Sequence, residues 1–384
     1  MSIEGEIHVA VHWNGSEIER ADVRSTRPFV APRLLVGKAV DEACVLVPLL
    51  FAICGRSQAI AAAAACEAAM GVPVRPDVAG ARALLIAGEA MQEYLFRALI
   101  DWPRLRGEPP SAQALADARR QIGAALAPLD AAARVNAVAR DEAKIAEATG
   151  SMCKAASDAS GEVLGATPEE WLERCGEEGV ERWAQARETV AARLVADTLD
   201  THPRLGASDV PLLPAADHDR VVRELCGAMD ADDGFERAPR WQGEPAETGA
   251  LARASHVAAV AAMVAKHGRS AAARLVARLA ELAALAVRGA SANHGQVATR
   301  PGEGAGWVET ARGLLVHRAR VARGRIAAYR IVAPTEWNFH ADGALARGLR
   351  GARFQDGEAA ERGVRLMVQA LDPCVAARIE VAHA

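Results

Sequence analysis

The spacing of apolar residues predicts a short β segment followed by a long helical region. Every second residue from Ile7 to Trp13 is apolar and Asn14-Gly15 follows as a tight-turn signal, so residues 3–25 are predicted to form a β-hairpin. Helical spacing then dominates residues 39–289, interrupted by stretches that contain proline and glycine. The predicted helices cover 39–70, 77–101, 111–149, 167–199, 217–229 and 250–289.

Two polar segments that contain glycine interrupt this pattern in the second half of the chain. Residues 230–249 are predicted to form a mobile surface loop, and residues 289–306 a second loop. Beyond them, two apolar runs flank Arg323-Gly324-Arg325, which predicts a second β-hairpin. A final helix at about 356–371 leads to Asp372-Pro373-Cys374. The chain is therefore expected to be mainly α, an α+β protein with a helical core and small β elements near both ends.

Composition narrows the class of protein. Of the 384 residues, 51% are hydrophobic and only 4% are aromatic, which favours closely packed, alanine-rich helices. A net charge of −4 without a basic block argues against a nucleic-acid partner. The longest uncharged apolar run, residues 44–55, is too short to span a bilayer, and no secretory signal is visible, so no membrane partner is expected. Seven scattered cysteines predict free thiols in a reducing, cytoplasmic compartment.

The residues alone offer few candidates for chemistry. The sequence contains no phosphate-binding glycine loop, no zinc-ligand spacing and no nucleophile elbow. Cys54 lies beside Gly55 and Arg56 where a helix is predicted to begin, and both a helix N-terminus and a nearby cation favour the thiolate form. Cys54 is therefore either a reactive or metal-binding thiol or a buried structural one. Cys374, directly after Pro373, is open to the same two interpretations.

Five short segments occur in an order that is specific. Together they make the sequence resemble the large subunit of nickel-dependent hydrogenases from near the first residue to near the last, although residues 110–290 carry little of the resemblance. The segments are Ile3-Glu4-Gly5, Ile53-Cys54-Gly55-Arg56-Ser57, Glu309-Thr310-Ala311-Arg312-Gly313, Ala333-Pro334-Thr335-Glu336-Trp337-Asn338 and Asp372-Pro373-Cys374. The resemblance implies one domain over residues 1–384, with a helical core at 39–289 and a C-terminal part, 308–384, that carries a β-hairpin, the last helix and Cys374.

Departures from the family pattern bear on activity. The family's bimetallic site uses four thiolates from two Cys-x-x-Cys pairs, and the first cysteine of each pair falls on Cys54 and Cys374. The second cysteine, which bridges nickel and iron in the family, falls on Ser57 and Ala377. A bridging ligand needs spare lone pairs, so a hydroxyl is a poor substitute and a methyl group is none. The resemblance therefore implies no nickel, no stable bimetallic centre and no hydrogenase activity.

The positions that contact the diatomic ligands of the iron in the family are retained. There the iron carries two cyanides and one carbon monoxide, and an arginine and a serine or threonine hydroxyl donate hydrogen bonds to the cyanides. Those positions fall on Arg312 and Thr335. A fixed cation and a hydroxyl suit a compact anion such as cyanide. The resemblance implies that Cys54 and Cys374 are the metal ligands of such an iron fragment and that Arg312 and Thr335 bind its cyanides.

Structural roles remain open for several of these residues. Arg312 pairs with Asp372 in the family fold, and this ion pair is an alternative or an addition to ligand binding. Thr335 is equally well explained as a turn residue after a proline. Glu4 falls on the family's proton-shuttle position and, without turnover, is predicted to be structural, while Ser57 is a further accessory candidate.

The combination of retained and lost residues resembles the HupK/HoxV branch of the family, which is linked to hydrogenase expression and maturation. This implies a non-enzymatic scaffold or carrier for a transient Fe(CN)2(CO) fragment. The implied partners are hydrogenase maturation proteins, such as chaperones of the HypC/HypD type, and the hydrogenase large subunit. Two alternatives stay open: a metal-free chaperone or docking protein for the same partners, and a thiol oxidoreductase that uses Cys54.

Overall fold

A computed structural model describes residues 5–138, 141–290 and 293–383. Most of them are helical, and two small sheets complete the fold. The α helices are α1 Ala31–Leu35, α2 Val40–Leu50, α3 Gly55–Met70, α4 Pro76–Phe96, α5 Trp102–Leu105, α6 Ala112–Leu126, α7 Glu142–Leu164, α8 Pro168–Arg174, α9 Val180–Ala186, α10 Val190–Thr201, α11 His218–Ala231, α12 Ala250–Ala254, α13 Ala258–His267, α14 Ala271–Arg288, α15 Pro334–Asn338, α16 Ala344–Leu349 and α17 Gly357–Leu371. The strands are β1 Glu6–Trp13, β2 Ile18–Ser25, β3 His294–Arg300, β4 Glu303–Thr310, β5 Gly313–Ala322, β6 Arg325–Val332 and β7 Ala376–His383. Among the described helices none is long and apolar enough to cross a bilayer.

The first sheet joins the two ends of the chain. Strands β1 and β2 pair antiparallel, as the hairpin prediction for residues 3–25 requires, and β7 pairs with β1 in parallel on its other side. Strand β7 was not among the predicted elements, although Ile379 and Val381 alternate there with charged residues. Because β7 follows Cys374 directly, this pairing brings that thiol beside the segment that leaves β2.

The second sheet has four antiparallel strands in the order β3-β4-β5-β6. The hairpin predicted around residues 323–325 corresponds to β5 and β6. The prediction of a loop over 289–306 is wrong, because β3 and the first half of β4 occupy most of its described part. These strands consist mainly of small and polar residues, so they lack the apolar alternation that identifies a strand in sequence.

Close contact between α3 and β4 explains both the small residues of that strand and the alanine-rich helix. A Cβ atom added at Gly306 would lie 2.3 Å from the carbonyl oxygen of Ala61, and one added at Gly304 would lie 2.4 Å from the backbone nitrogen of Ala69. Backbone therefore packs against backbone, which only glycine and alanine permit. Since α3 begins directly after Cys54, this contact also positions that thiol relative to the turn between β4 and β5.

Further boundaries differ from the predictions: the helices predicted at 111–149, 167–199 and 250–289 are each divided into shorter ones. The helix predicted at 39–70 is divided into α2 and α3 by the 3-10 turn Ala52–Cys54. Within the predicted surface loop at 230–249, residues 245–249 are buried, and the carboxylate of Glu247 forms a two-point ion pair with Arg274 at 2.7 Å. This part of the segment therefore belongs to the interior, where its polar groups are satisfied by partners that are distant in sequence.

Candidate two-thiol binding site

Cys54 and Cys374 line one cavity, together with Arg312 and Thr335. Cys54 ends the 3-10 turn before α3, and Cys374 lies between α17 and β7. Arg312 occupies the turn between β4 and β5, and Thr335 lies in the first turn of α15. The structure thus brings together four side chains that the sequence places in four separate segments. The cavity has a volume of about 70 Å³, room for several water molecules and hence for a small metal complex.

Most of the remaining cavity wall is apolar. Its apolar residues include Val30, Leu34, Leu50, Phe51, Ile53 and Val375. Such a wall lowers the local dielectric around the two half-buried sulfurs, and a low dielectric strengthens charge interactions inside the cavity. The few polar groups of the wall therefore determine what the cavity can bind.

Two donors are directed at the sulfur of Cys374. The hydroxyl of Thr335 lies 3.1 Å from this sulfur and also accepts a hydrogen bond from the Cys374 backbone N–H at 3.3 Å. The guanidinium of Arg27 donates to the same sulfur. Thr335 therefore orients Cys374 as well as lining the cavity, and donors of this kind are what a metal-bound thiolate receives from its surroundings.

The sulfur of Cys54 has a different environment. Among the described residues, its one polar neighbour within hydrogen-bonding range is the amide nitrogen of Gln58, which lies 3.6 Å from the sulfur. The amide oxygen of Gln58 lies 2.9 Å from Nε2 of His317, whose pKa burial lowers to about 3. A neutral His317 ring that donates to this oxygen fixes the amide so that its NH2 group points at Cys54.

The thiolate form of Cys54 is disfavoured, which contradicts the expectation that a helix N-terminus and the adjacent Arg56 favour it. Burial, and next the charge of Glu89, raise the pKa of Cys54 to about 12, although Arg312 acts in the opposite direction. The neighbouring cation Arg56 is directed elsewhere and pairs with Asp130 at 2.9 Å. A thiol oxidoreductase needs an accessible thiolate, so these surroundings argue against that function for Cys54.

Ser57 and Ala377 contribute nothing to the wall of this cavity. The hydroxyl of Ser57 donates to Glu89 at 2.5 Å, and its backbone N–H donates to the same carboxylate at 3.0 Å. Ala377 lies in β7 opposite Ile7. Across the described part of the chain, no group of three or more His, Cys, Asp or Glu side chains is arranged around a metal position. The two thiols of the cavity are thus accompanied by the guanidinium groups of Arg312 and Arg27 and by the hydroxyl of Thr335.

Arg312 takes part in a buried ion-pair network and lines the cavity as well. Its Nη2 atom lies 2.6 Å from Glu93 and its Nε atom 3.5 Å from Asp372. Asp372 also faces Arg97 at 2.6 Å and Arg278 at 3.6 Å. Burial alone would raise the pKa of Asp372, but the three arginines outweigh it and lower the pKa to about 2. The two roles considered for Arg312 are therefore compatible, because its carboxylate partners hold the guanidinium at the cavity wall.

This network makes the stability of the fold depend on pH at the acid end. The pKa of Asp372 falls from 3.8 to about 2 on folding, so its stabilisation is complete above pH 4 and is lost as the pH falls towards 2. We expect this group to contribute about 2 kcal/mol to the loss of unfolding free energy across that interval. Denaturant titrations at each pH measure it. Asp372→Asn should have a lower unfolding free energy than wild type at pH 7 and should lose less of it between pH 4 and pH 2. If the unfolding free energy of the variant depends on pH as that of wild type does, Asp372 does not make this contribution.

Several residues of the site were not identified from the sequence, and one prediction cannot be placed. Arg27, Gln58 and Glu93 contact the site although no motif includes them in that role. The position of Arg27 follows from the pairing of β7 with β1, which no local pattern reveals. Glu4, the candidate from the family's proton-shuttle position, lies outside the described residues.

The fold defines the class of protein. The structure is similar to the Ni-Fe-Se hydrogenase of D. vulgaris Hildenborough, with a TM-score of 0.63 and 15% identity over 94% of each chain. It is equally similar to the Ni-Fe-Se hydrogenase of Desulfomicrobium baculatum, with a TM-score of 0.62 and 16% identity over 95% of each chain. The predicted fold class is confirmed: the chain has the fold of nickel-dependent hydrogenase large subunits. A family model described as nickel-dependent hydrogenase matches residues 253–379.

Sequence relatives place the chain within that class. The hydrogenase expression/formation protein HoxV of Cupriavidus necator is 32% identical, with 94% of this chain and 93% of the relative covered. HupK of Azotobacter vinelandii is 32% identical over 99% of both chains, and HupK of Rhizobium leguminosarum is 32% identical over 94% of this chain and 92% of the relative. The chain belongs to the HoxV/HupK family of hydrogenase expression/formation proteins. The predicted resemblance is confirmed, and with it an accessory role in hydrogenase maturation.

Proposed function

We propose that this maturation protein is a scaffold or carrier that holds an Fe(CN)2(CO) fragment between Cys54 and Cys374 and has no hydrogenase activity. The observation that carries the proposal is the meeting of two thiols, a guanidinium and a hydroxyl in one largely apolar cavity. The iron is a cargo in this proposal, received from one partner and passed to another. No nickel is involved.

The chemistry of the two thiols suits a cargo better than a permanent metal. Thiolates are soft ligands that iron accepts, and a thiol loses its proton when it binds a metal. Because the pKa of Cys54 is raised to about 12, coordination there has to displace a proton, which weakens the net binding at neutral pH. Two protein ligands of this kind retain iron less firmly than four, and a fragment that is handed on requires release.

Arg312 supplies recognition of the diatomic ligands. Glu93 and Asp372 fix its guanidinium in the protein interior, so little conformational freedom is lost when it donates to a cyanide nitrogen. The hydroxyl of Thr335 lies on the same wall beside Cys374 and can turn from the sulfur to a second cyanide. A charge-assisted hydrogen bond in an apolar cavity favours cyanide over water.

The proposed absence of hydrogen turnover rests on the bridging positions. A second metal next to iron needs ligands shared by both metals, and Ser57 and Ala377 offer none to this cavity. Ser57 is held by Glu89, and the methyl group of Ala377 lies in the first sheet. The protein therefore keeps the residues that contact the cyanides of the iron in the family and lacks the ligands that iron and nickel would share.

Infrared spectroscopy tests the proposal directly. The wild-type protein is co-expressed anaerobically with the hydrogenase maturation proteins, purified, and measured for cyanide and carbonyl stretching bands. Bands on the purified protein together with no hydrogen uptake would support it. A wild-type protein without such bands, or one that consumes hydrogen, would contradict it.

A second candidate function is favoured by one surface feature. Six large apolar side chains in residues 30–53 are each at least 42% exposed, and some of them also line the cavity. They are Val30, Leu34, Val36, Val45, Leu49 and Ile53, here called the apolar collar. Exposed apolar patches of this kind mark interaction surfaces. A metal-free chaperone or docking protein for the hydrogenase large subunit, or for HypC/HypD-like chaperones, would use the collar alone.

Capture experiments separate the two candidates. We expect Leu49→Asp, at a side chain that is 73% exposed, to weaken capture of these partners about tenfold or more, because it places a charge in an apolar interface. Val138→Asp is the matched control, since Val138 is 70% exposed and lies outside the collar. A Cys54→Ala, Cys374→Ala double variant that captures partners as well as wild type and supports hydrogenase maturation in cells would establish the metal-free function. Equal capture by Leu49→Asp and wild type would show that the apolar collar does not bind these partners in either candidate function.

A further inference from the structure

Arg27 is a second arginine of the cavity, and no part of the family resemblance assigns it a role. It lies between β2 and α1, and its side chain is only 13% exposed. It lines the cavity with the two thiols and Arg312 and donates to the sulfur of Cys374. It therefore enters the site from a different part of the chain than Arg312 does.

The charge of Arg27 is compensated more weakly than that of Arg312. Its carboxylate neighbour, Glu336, lies 3.7 Å from Nε, whereas Arg312 faces Glu93 at 2.6 Å. The nearer Glu336 oxygen, Oε1, is buried and has no hydrogen-bond partner. Burial raises the pKa of Glu336, and the charge of Arg27 acts in the opposite direction. A buried cation without a close carboxylate is costly unless an anion faces it, and here the nearest acceptor is the sulfur of Cys374, which leaves room for a bound anion to complete the pairing.

The charge of the proposed cargo matches this arrangement. A ferrous ion with two cyanides and one carbon monoxide is neutral, so its complex with two thiolates carries two negative charges. In an apolar cavity these charges need fixed cations close by. Arg312 is already shared between two carboxylates, which leaves Arg27 as a cation whose donors face the site. Arginine presents five donors in a rigid plane, so it can contact the sulfur and a cyanide nitrogen with different N–H groups.

We propose that Arg27 is a binding residue for the iron–cyanide fragment: it caps the Cys374 sulfur before loading and donates to a cyanide of the bound fragment. This rests on the proposed function. On loading, the S–H bonds of Cys54 and Cys374 are replaced by two S–Fe bonds, both protons pass to water, the iron remains ferrous and Arg27 keeps its charge. The fragment leaves its donor protein in the same ligand exchange, so no oxidant or reductant is needed.

Variants of Arg27 test the inference on the full-length protein after anaerobic co-expression. In Arg27→Gln we expect about 10- to 100-fold weaker retention of the fragment during gel filtration, because charge-assisted hydrogen bonds are lost. In the fraction that stays bound, one cyanide band and the carbonyl band should move to lower wavenumber, because more electron density stays on the iron. Arg27→Lys should keep part of the retention. Arg33→Gln, at an exposed arginine of α1, is the matched control and should behave as wild type.

The outcomes separate this inference from the proposed function. Wild-type protein without infrared bands contradicts the proposed function, and the role of Arg27 falls with it. Bands in wild type that are equally intense and equally placed in Arg27→Gln overturn the role of Arg27 alone. A merely structural role would lower the melting temperature of metal-free Arg27→Gln and leave the band positions of the loaded protein unchanged, which also overturns it.

Discussion

Cys374→Ala is expected to abolish the cyanide and carbonyl bands of the purified protein, and Cys54→Ala is expected to do the same. Each thiol supplies one of only two protein ligands in the proposed site, so its loss leaves the iron with a single attachment. We expect retention of the fragment to fall at least 100-fold in either variant. Loss of a residue that only hydrogen-bonds to a metal ligand typically weakens metal binding by about 10- to 100-fold, and loss of the ligand itself should cost more. Infrared spectra and iron content of the proteins, purified side by side, measure the effect.

Another thiol of the chain provides the control for this prediction. Cys153 is free and half-buried, like Cys54 and Cys374, but it lies in α7 with its sulfur near the carbonyl oxygen of Leu285. Cys153→Ala should retain the fragment as wild type does. Bands that persist in both Cys54→Ala and Cys374→Ala would show that the iron is held elsewhere. Bands lost in all three variants would point to a general effect on folding.

Gly306→Ala is expected to lower the free energy of unfolding by about 3 kcal/mol, because the added methyl group overpacks a contact that cannot relax easily. Its Cβ would lie 2.3 Å from the carbonyl oxygen of Ala61 and 2.6 Å from the backbone nitrogen of Ala65, both in α3. Relief requires α3 to move away from β4, and α3 begins at the residue after Cys54. The variant should therefore also retain less of the fragment than wild type.

Gly80→Ala is the matched control for this second prediction. Gly80 lies in α4, where an added Cβ meets nothing within 4 Å, and alanine favours a helix over glycine by about 1 kcal/mol. Denaturant unfolding should thus show a small gain for Gly80→Ala beside the loss for Gly306→Ala. Equal stabilities for the two variants would mean that the backbone contact between α3 and β4 does not constrain the fold as described.

The local pattern of apolar and turn residues was sufficient to predict much of the secondary structure. The helical core follows from the spacing of apolar residues, and both predicted hairpins correspond to pairs of strands in the structure. Periodicity and turn residues act over a few positions, so they are visible without tertiary contacts. The order of the short motifs, from Ile53-Cys54-Gly55 to Asp372-Pro373-Cys374, identified the family for a similar reason, because motif order survives even where most of the sequence has diverged.

Tertiary structure alone decided the remaining features, since each depends on residues that are distant in sequence. Strand β3 and much of β4 went unrecognised because their glycines are selected by contact with α3 and not by strand propensity. The protonation of Cys54 is set by burial and by Glu89, not by the adjacent Arg56. Arg27 reaches Cys374 only because β7 pairs with β1. The amino-acid sequence thus determined the helical core, the family and the candidate thiols, whereas the charges and donors around those thiols were decided by which distant segments pack together.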